Sequence, residues 1–301
     1  MLSIKNVLSC VGWNFFSQRK NPRLYLCMLL GFLLCWMLTD KTMSISRTYQ
    51  TGVQVFEPFI WCFADSSGVL YVSLTLILLM AEFPRLDTSA SYLMFRAHRM
   101  PWLTGQIITA LLVTFGFCLF MLMTSIIVCI GNVSTENRWS DTATMLSFAP
   151  SSFDLALIVT RKTVKLTLPY QCVVQIFLLM FQYMMLLSMI QITMTLIKSR
   201  KMGICIVTVL SLMGFVMTPD RFMIWLSLPS GFKYYANLLS VWCSPLQHAT
   251  YLMHNFGYES LPSIPVSHSI MGGISIMLSI LAYKQIDTFD FQFIGGNHDS
   301  N

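Results

Sequence analysis

The chain has 301 residues, 55% of them hydrophobic and 11% charged, with a mean hydropathy of +0.64 and a net charge of +6. A soluble domain carries about 25% charged residues, so this composition excludes a water-soluble fold and leaves lipid as the solvent for most of the surface. Nineteen bases against thirteen acids are too thinly spread for a nucleic-acid binder.

The predicted fold is all-α integral membrane, a single transmembrane domain over 1–301. Residues 1–23 come first. Ile4, Val7, Leu8, Val11 and Phe15 recur at helical spacing beside Trp13 and Phe16, with Lys5, Asn6, Ser9, Asn14 and Arg19 between them. That stripe suits an amphipathic helix in the headgroup plane, ended by Asn21-Pro22, and the alternative is a solvated leader. No small-residue cleavage site follows the first apolar run, so the segment reads as an anchor and not as a secretory signal.

A helix needs about 20 apolar residues to cross about 30 Å of hydrocarbon. Six stretches qualify, at about 24–39, 58–82, 103–130, 171–197, 202–219 and 266–284. Eleven bases fall on one face: Lys5, Arg19, Lys20, Arg23, Arg85, Arg96, Arg99, Lys198, Arg200, Lys201 and Lys284, against eight on the other. Cytoplasmic loops retain Lys and Arg, so both termini of this multi-pass chain are expected in the cytoplasm of a cell-membrane protein.

Between spans two and three, Asp87, Thr88 or Ser89 can cap a short cytoplasmic helix over 87–99, with Pro101 in the first turn of span three. Tyr92, Phe95, Arg96 and Arg99 fall three or four residues apart on it, an aromatic and basic ridge suited to a docking protein or to the interface itself. In the exterior loop 131–170, Ser140 or Asp141 can cap one helix and Pro150 and Ser151 can open another; Asn132 begins an N-x-S sequon. From Phe222 to Tyr258 only Lys233 is charged, and Pro229, Gly231 and Pro245 cut the stretch into pieces too short to cross. Re-entrant or interfacial helices over the mouth of a pathway fit that pattern, as does an aromatic belt of Tyr234, Tyr235, Trp242, Tyr251 and Tyr258.

Catalytic motifs are absent: there is no GxxxxGK[ST], HExxH or GxSxG. His248 and His254 are six apart, on different faces of a helix, and read as satisfied or interfacial side chains with no metal role. Cys27, Cys35, Cys118, Cys129, Cys172 and Cys205 lie in or beside apolar runs without a CxxC pair, as small buried hydrophobes do. Asp65 stands out as an acid well inside a span, about 10 Å from its outer end. It is either a pathway residue or the cap of a helix that starts later, with Ser66 and Ser67.

The run FEPFIWCFADSSGVLYVSLTLILLMAEFPRLDTSASYLMFRAHRMPWLTGQII, the exterior NRWSD segment and the C-terminal SHSIMGGISIMLSILAYKQIDTFDF together resemble the membrane subunits of bacterial ABC-2 type transporters. The resemblance runs in order and topology over most of the chain. It is carried by Pro84 and Asp87, by Arg96 and Arg99 as Arg-x-x-Arg, by Trp102, and by Asp287 and Asp290. It implies pairing with a second permease subunit, identical or different, and docking on ABC ATP-binding subunits that hold ATP and Mg while this chain binds no cofactor. Residues 87–99 would then be a coupling helix, with Tyr92, Phe95, Arg96 and Arg99 as the contact. The implied activity is ATP-driven movement, by export, of an amphipathic peptide or lipid-like substrate. An ion-coupled secondary transporter titrating Asp65 is the alternative; a membrane-embedded enzyme is disfavoured because no cluster of His, Asp or Glu projects into the spans.

Overall fold

The computed structural model describes residues 3–86, 97–130, 133–148, 161–227, 229–257 and 259–289. It is helical almost throughout, with one two-residue strand pair among the described residues. Helix α1 covers Ile4–Arg19 and α2 covers Pro22–Tyr49, with Pro22 at its first position and the Asn21 side chain accepting from the Arg23 amide at 3.0 Å. The helical backbone of α2 runs ten residues past Thr39, because Thr39, Thr42 and Ser46 are buried and Thr39 returns its hydroxyl to the Cys35 carbonyl at 2.7 Å. The helix stops at Gln50, which takes a left-handed φ of 54°.

Strand β1 (Val53–Gln54) leads into α3 (Glu57–Phe63) and α4 (Ser66–Met80), which are bent by 83° at Ala64–Asp65. The long α5 (Arg99–Val128) follows, then β2 (Val133–Ser134), which pairs parallel with β1, α6 (Asp141–Phe148) and α7 (Arg161–Leu166). Helix α8 (Pro169–Ile197) is the most buried of the long helices and touches α3, α4 and α5. After α8 come α9 (Arg200–Val216) and α10 (Pro219–Trp225), bent by 91°. A single helical turn at 230–232 opens α11 (Lys233–Cys243), followed by α12 (Pro245–Ala249), a turn at Tyr251–Met253 and α13 (Ile264–Gln285).

Four of these helices, α2 over Pro22–Asp40, α5, α8 and α13, are long and apolar enough to cross a membrane; counting each bent pair as one span brings the number to six. Their outer faces carry bare apolar side chains, among them Met37, Phe115, Val209, Ile276 and Ile280. Such a surface belongs in lipid.

Helix α1 shows why a stripe alone does not say which face is covered. Val7 and Val11 are buried, but so are Cys10, Asn14 and Gln18, whereas Ile4, Leu8 and Phe16 point outward. The polar pair is accommodated because Asn14 donates to the Thr109 hydroxyl at 3.0 Å and accepts from the Gln106 amide at 3.3 Å, while Gln18 and Ser17 accept from Arg85. Gly105 permits the close approach: a Cβ there would lie 2.7 Å from the Cys10 Cβ. One helix thus presents Ile4, Leu8 and Phe16 outward beside exposed Lys5, Ser9 and Arg19, and a mixed, hydrogen-bonded face to α5.

Candidate functional site

One end of the bundle gathers basic side chains. Arg23 pairs with Glu82 at 3.1 Å, Arg200 donates to the Pro84 carbonyl at 3.3 Å, and Arg99 donates to the carbonyls of Ile286, Asp287 and Phe289 at 3.1, 2.7 and 3.2 Å. The last three contacts place a cation on the exposed carbonyls at the end of α13, where the helix dipole is negative. Arg99 therefore anchors the C-terminal turn to the start of α5. Tyr92, Phe95 and Arg96, the rest of the expected ridge, lie outside the described residues. The same end holds a cleft of about 610 Å³, lined by Leu86, Lys198, Arg200, Lys201, Gln285 and Phe289.

The opposite end is built from broken helices. Asp65 sits at the bend between α3 and α4 in extended backbone, half-buried, and its carboxylate accepts from the Ser67 amide at 3.0 Å. Its hydrogen bond is that of a helix cap, at a break and not within a continuous span. The α4 start, the end of α9, α11 and α12 enclose a cavity of about 230 Å³ lined by Ser66, Gly214, Asn237, Ser240, Gln247 and Met253. Gly214 is required there, since a Cβ would stand 2.4 Å from the Leu246 Cβ.

Two features of this end escape a reading by spacing. Glu57 is fully buried: Oε1 accepts from the Ser140 amide at 2.7 Å, and Oε2 from the Ser140 hydroxyl at 2.6 Å and the Gln54 amide at 3.1 Å. The only sequence cue is an acid followed by proline, a helix start. Ser140 in turn accepts from the Ala143 amide at 3.1 Å as the cap of α6, so one carboxyl group fastens the start of α6 to α3.

The second feature is a pair of imidazoles. The chain breaks after Ala249, which frees His254 from the helical register of His248 and lets both reach Ser267 of α13. His248 Nδ1 and His254 Nε2 each lie 2.9 Å from the Ser267 hydroxyl. The outer nitrogens face backbone carbonyls, His248 Nε2 that of Trp242 at 3.2 Å and His254 Nδ1 those of Thr250 at 2.9 Å and Tyr251 at 3.2 Å. Burial pushes His254 down to about 4, with the two neighbouring imidazoles adding to it against the backbone hydrogen bonds, and burial also lowers His248. Every ring nitrogen of the two histidines lies within hydrogen-bond distance of a polar atom; the serine they share is what spacing does not reveal.

Seven cysteines are buried, and Cys205 and Cys243 are exposed. Among the described residues no group of three or more His, Cys, Asp or Glu side chains is placed to hold a metal ion. Comparison with protein-family models, with curated proteins and with solved structures gives no match, so the functional reading rests on this chain's own residues.

Proposed function

We propose that the chain is the permease subunit of an ABC-2 type ABC transporter, a passive half-conduit that exports an amphipathic peptide or lipid-like substrate when separate ATP-binding subunits close beneath it. The observation that supports this most is the pair of sharply bent helix pairs, α3/α4 at 83° and α9/α10 at 91°, converging with α11 and α12 on a cavity at one end. Broken helices at membrane depth are tolerated where protein covers them or where they border a polar cavity. The positive-inside bias assigns the other, basic end to the cytoplasm. There the coupling segment ahead of α5, whose first residue is Arg99, presses on the bundle when the nucleotide subunits close. The sequence resemblance supports the family, a second membrane subunit, and ATP with Mg on the partner.

The decisive experiment combines Phe95→Ala with Arg96→Glu and leaves Arg99 untouched, because Arg99 also holds the C-terminal turn. We expect the variant to reach the membrane in normal amount and ATP-driven transport to fall about 10-fold or more, the loss of one strong interface contact. Full transport by the variant, or uphill transport by the purified chain alone in vesicles, overturns the reading. Asp65→Asn separates the ion-coupled alternative, since asparagine caps a helix as well as aspartate while removing the titrating group. Transport by this variant within about twofold of wild type is expected, because the cap survives. Its abolition, together with indifference to ATP depletion, establishes ion coupling through Asp65 instead.

A further inference from the structure

The hydrogen count in the His248–Ser267–His254 chain comes out one short. Four contacts run in series: Trp242 carbonyl to His248, His248 to Ser267, Ser267 to His254, and His254 to the Thr250 carbonyl. Both ends are carbonyl oxygens, which only accept, so each contact needs one hydrogen from within the trio. Two neutral imidazoles and one hydroxyl supply three. An added proton supplies the fourth, and it completes the chain equally well on either ring. With the proton on His248, that ring donates at both nitrogens and the serine hydroxyl turns to His254; with the proton on His254, the hydroxyl turns to His248.

We propose that His248, Ser267 and His254 form a buried binding site for a single proton, relayed between the two rings as His248 Nδ1 gives its hydrogen to the Ser267 oxygen while the Ser267 hydroxyl hydrogen passes to His254 Nε2, and by the reverse transfer. The site joins the broken segment over the cavity to α13, so its occupancy sets how firmly that segment is held. His248 and His254 lie beyond the helices that cross the membrane, at the end away from the basic cluster. The proton therefore comes from the compartment that end faces. Such a site is independent of the transport reading and of whatever powers the protein.

The surroundings limit the site to one proton. His248 and His268 on α13 both oppose charge on His254. Tyr251, in the turn after α12, is a phenol that burial keeps neutral, and Cys172 of α8 beside it is a buried thiol. Of the carboxylates on neighbouring elements, Asp65 caps α4, Asp220 pairs with Lys233 at 3.1 Å, and Glu259 pairs with Lys162 at 2.7 Å. Desolvation, with no carboxylate partner among the described residues, leaves the site empty at neutral pH, and it fills on acidification. A nucleophilic role for Ser267 fails on access, since Ser267 and His254 are both fully buried.

The test is a pH titration from about 8 to about 4 of the full chain in nanodiscs with ¹⁵N-labelled histidine, a range that brackets the ordinary imidazole value. The expected result is one shared midpoint below about 6.5 for His248 and His254, each ring showing about half of the imidazolium shift because one proton is divided between two rings. In Ser267→Ala the shared curve is expected to split into two independent ones. Two separate full protonations in the wild type, or unchanged ring nitrogens throughout with the helical content intact, overturn the proposal. The wild-type titration decides the matter alone if Ser267→Ala fails to fold.

Discussion

Replacing Gly68 with alanine is expected to be the most damaging single-methyl change in the chain. A Cβ at this position would lie 1.6 Å from the Cys62 carbonyl oxygen and 2.8 Å from its carbon, so the obstacle is backbone and no rotamer relieves it. The 83° bend brings the end of α3 across the first turn of α4, and only a residue without a side chain lets them touch. Overpacking in a core costs about 1–3 kcal/mol, and a clash that displaces the bend belongs at or above the top of that range. Gly116 is the control, since it lies on an exposed face of α5 and a methyl added there would meet nothing within 4 Å. Gly116→Ala should gain up to about 1 kcal/mol from helix propensity. Thermal unfolding of both variants in detergent, followed by helical circular dichroism, should therefore diverge in opposite directions. Equal midpoints for the two would mean that the bend does not depend on Gly68.

The same bend shows how much of this fold is legible in the sequence. The apolar runs and the interruptions between them can be read directly, because lipid demands length and low charge and those are local properties. Asp65-Ser66-Ser67 even carries a start signal in its own composition, and the structure uses it so. The angle at that start is different in kind, since it depends on where Cys62 lies relative to Gly68 once both helices have packed. The burial of Asn14 and Gln18 on α1 is equally hidden: their partners Gln106, Thr109 and Arg85 are on distant segments, and periodicity ranks polar residues as outward by default. Placing His248 and His254 on different faces assumes an unbroken helix, and the break after Ala249 removes that assumption. Tyr92, Phe95 and Arg96 lie outside the described residues, so of the expected ridge only Arg99 has a place, and its contacts run inward to the C-terminal turn. Sequence patterns express what each segment prefers; they carry little about which polar groups find one another.

Glu57 is the clearest polar case, and truncating it is expected to have the second largest effect. Glu57→Ala leaves the amides of Ser140 and Gln54 and the Ser140 hydroxyl without their acceptor. Each buried donor left without an acceptor costs about 1–3 kcal/mol, and losses within one network are less than additive, so the net cost should be about 3–5 kcal/mol. Glu57→Gln should cost less, for a geometric reason. Its carbonyl oxygen can keep the Ser140 amide, and its NH₂ can donate to the Ser140 hydroxyl oxygen, leaving the Gln54 amide and the Ser140 hydroxyl hydrogen without their acceptor. Ser140→Ala removes the hydroxyl contact and the cap of α6 but spares the backbone contact, which places it between the two. Hydrogen exchange along 140–148 locates the effect: in Glu57→Ala these amides should exchange faster while those of α8, buried at the centre of the bundle, change little at temperatures below unfolding. An α6 that stays protected without the Glu57 side chain would show that the apolar contacts of Ala143 and Leu146 hold this segment and that the buried carboxyl group does not.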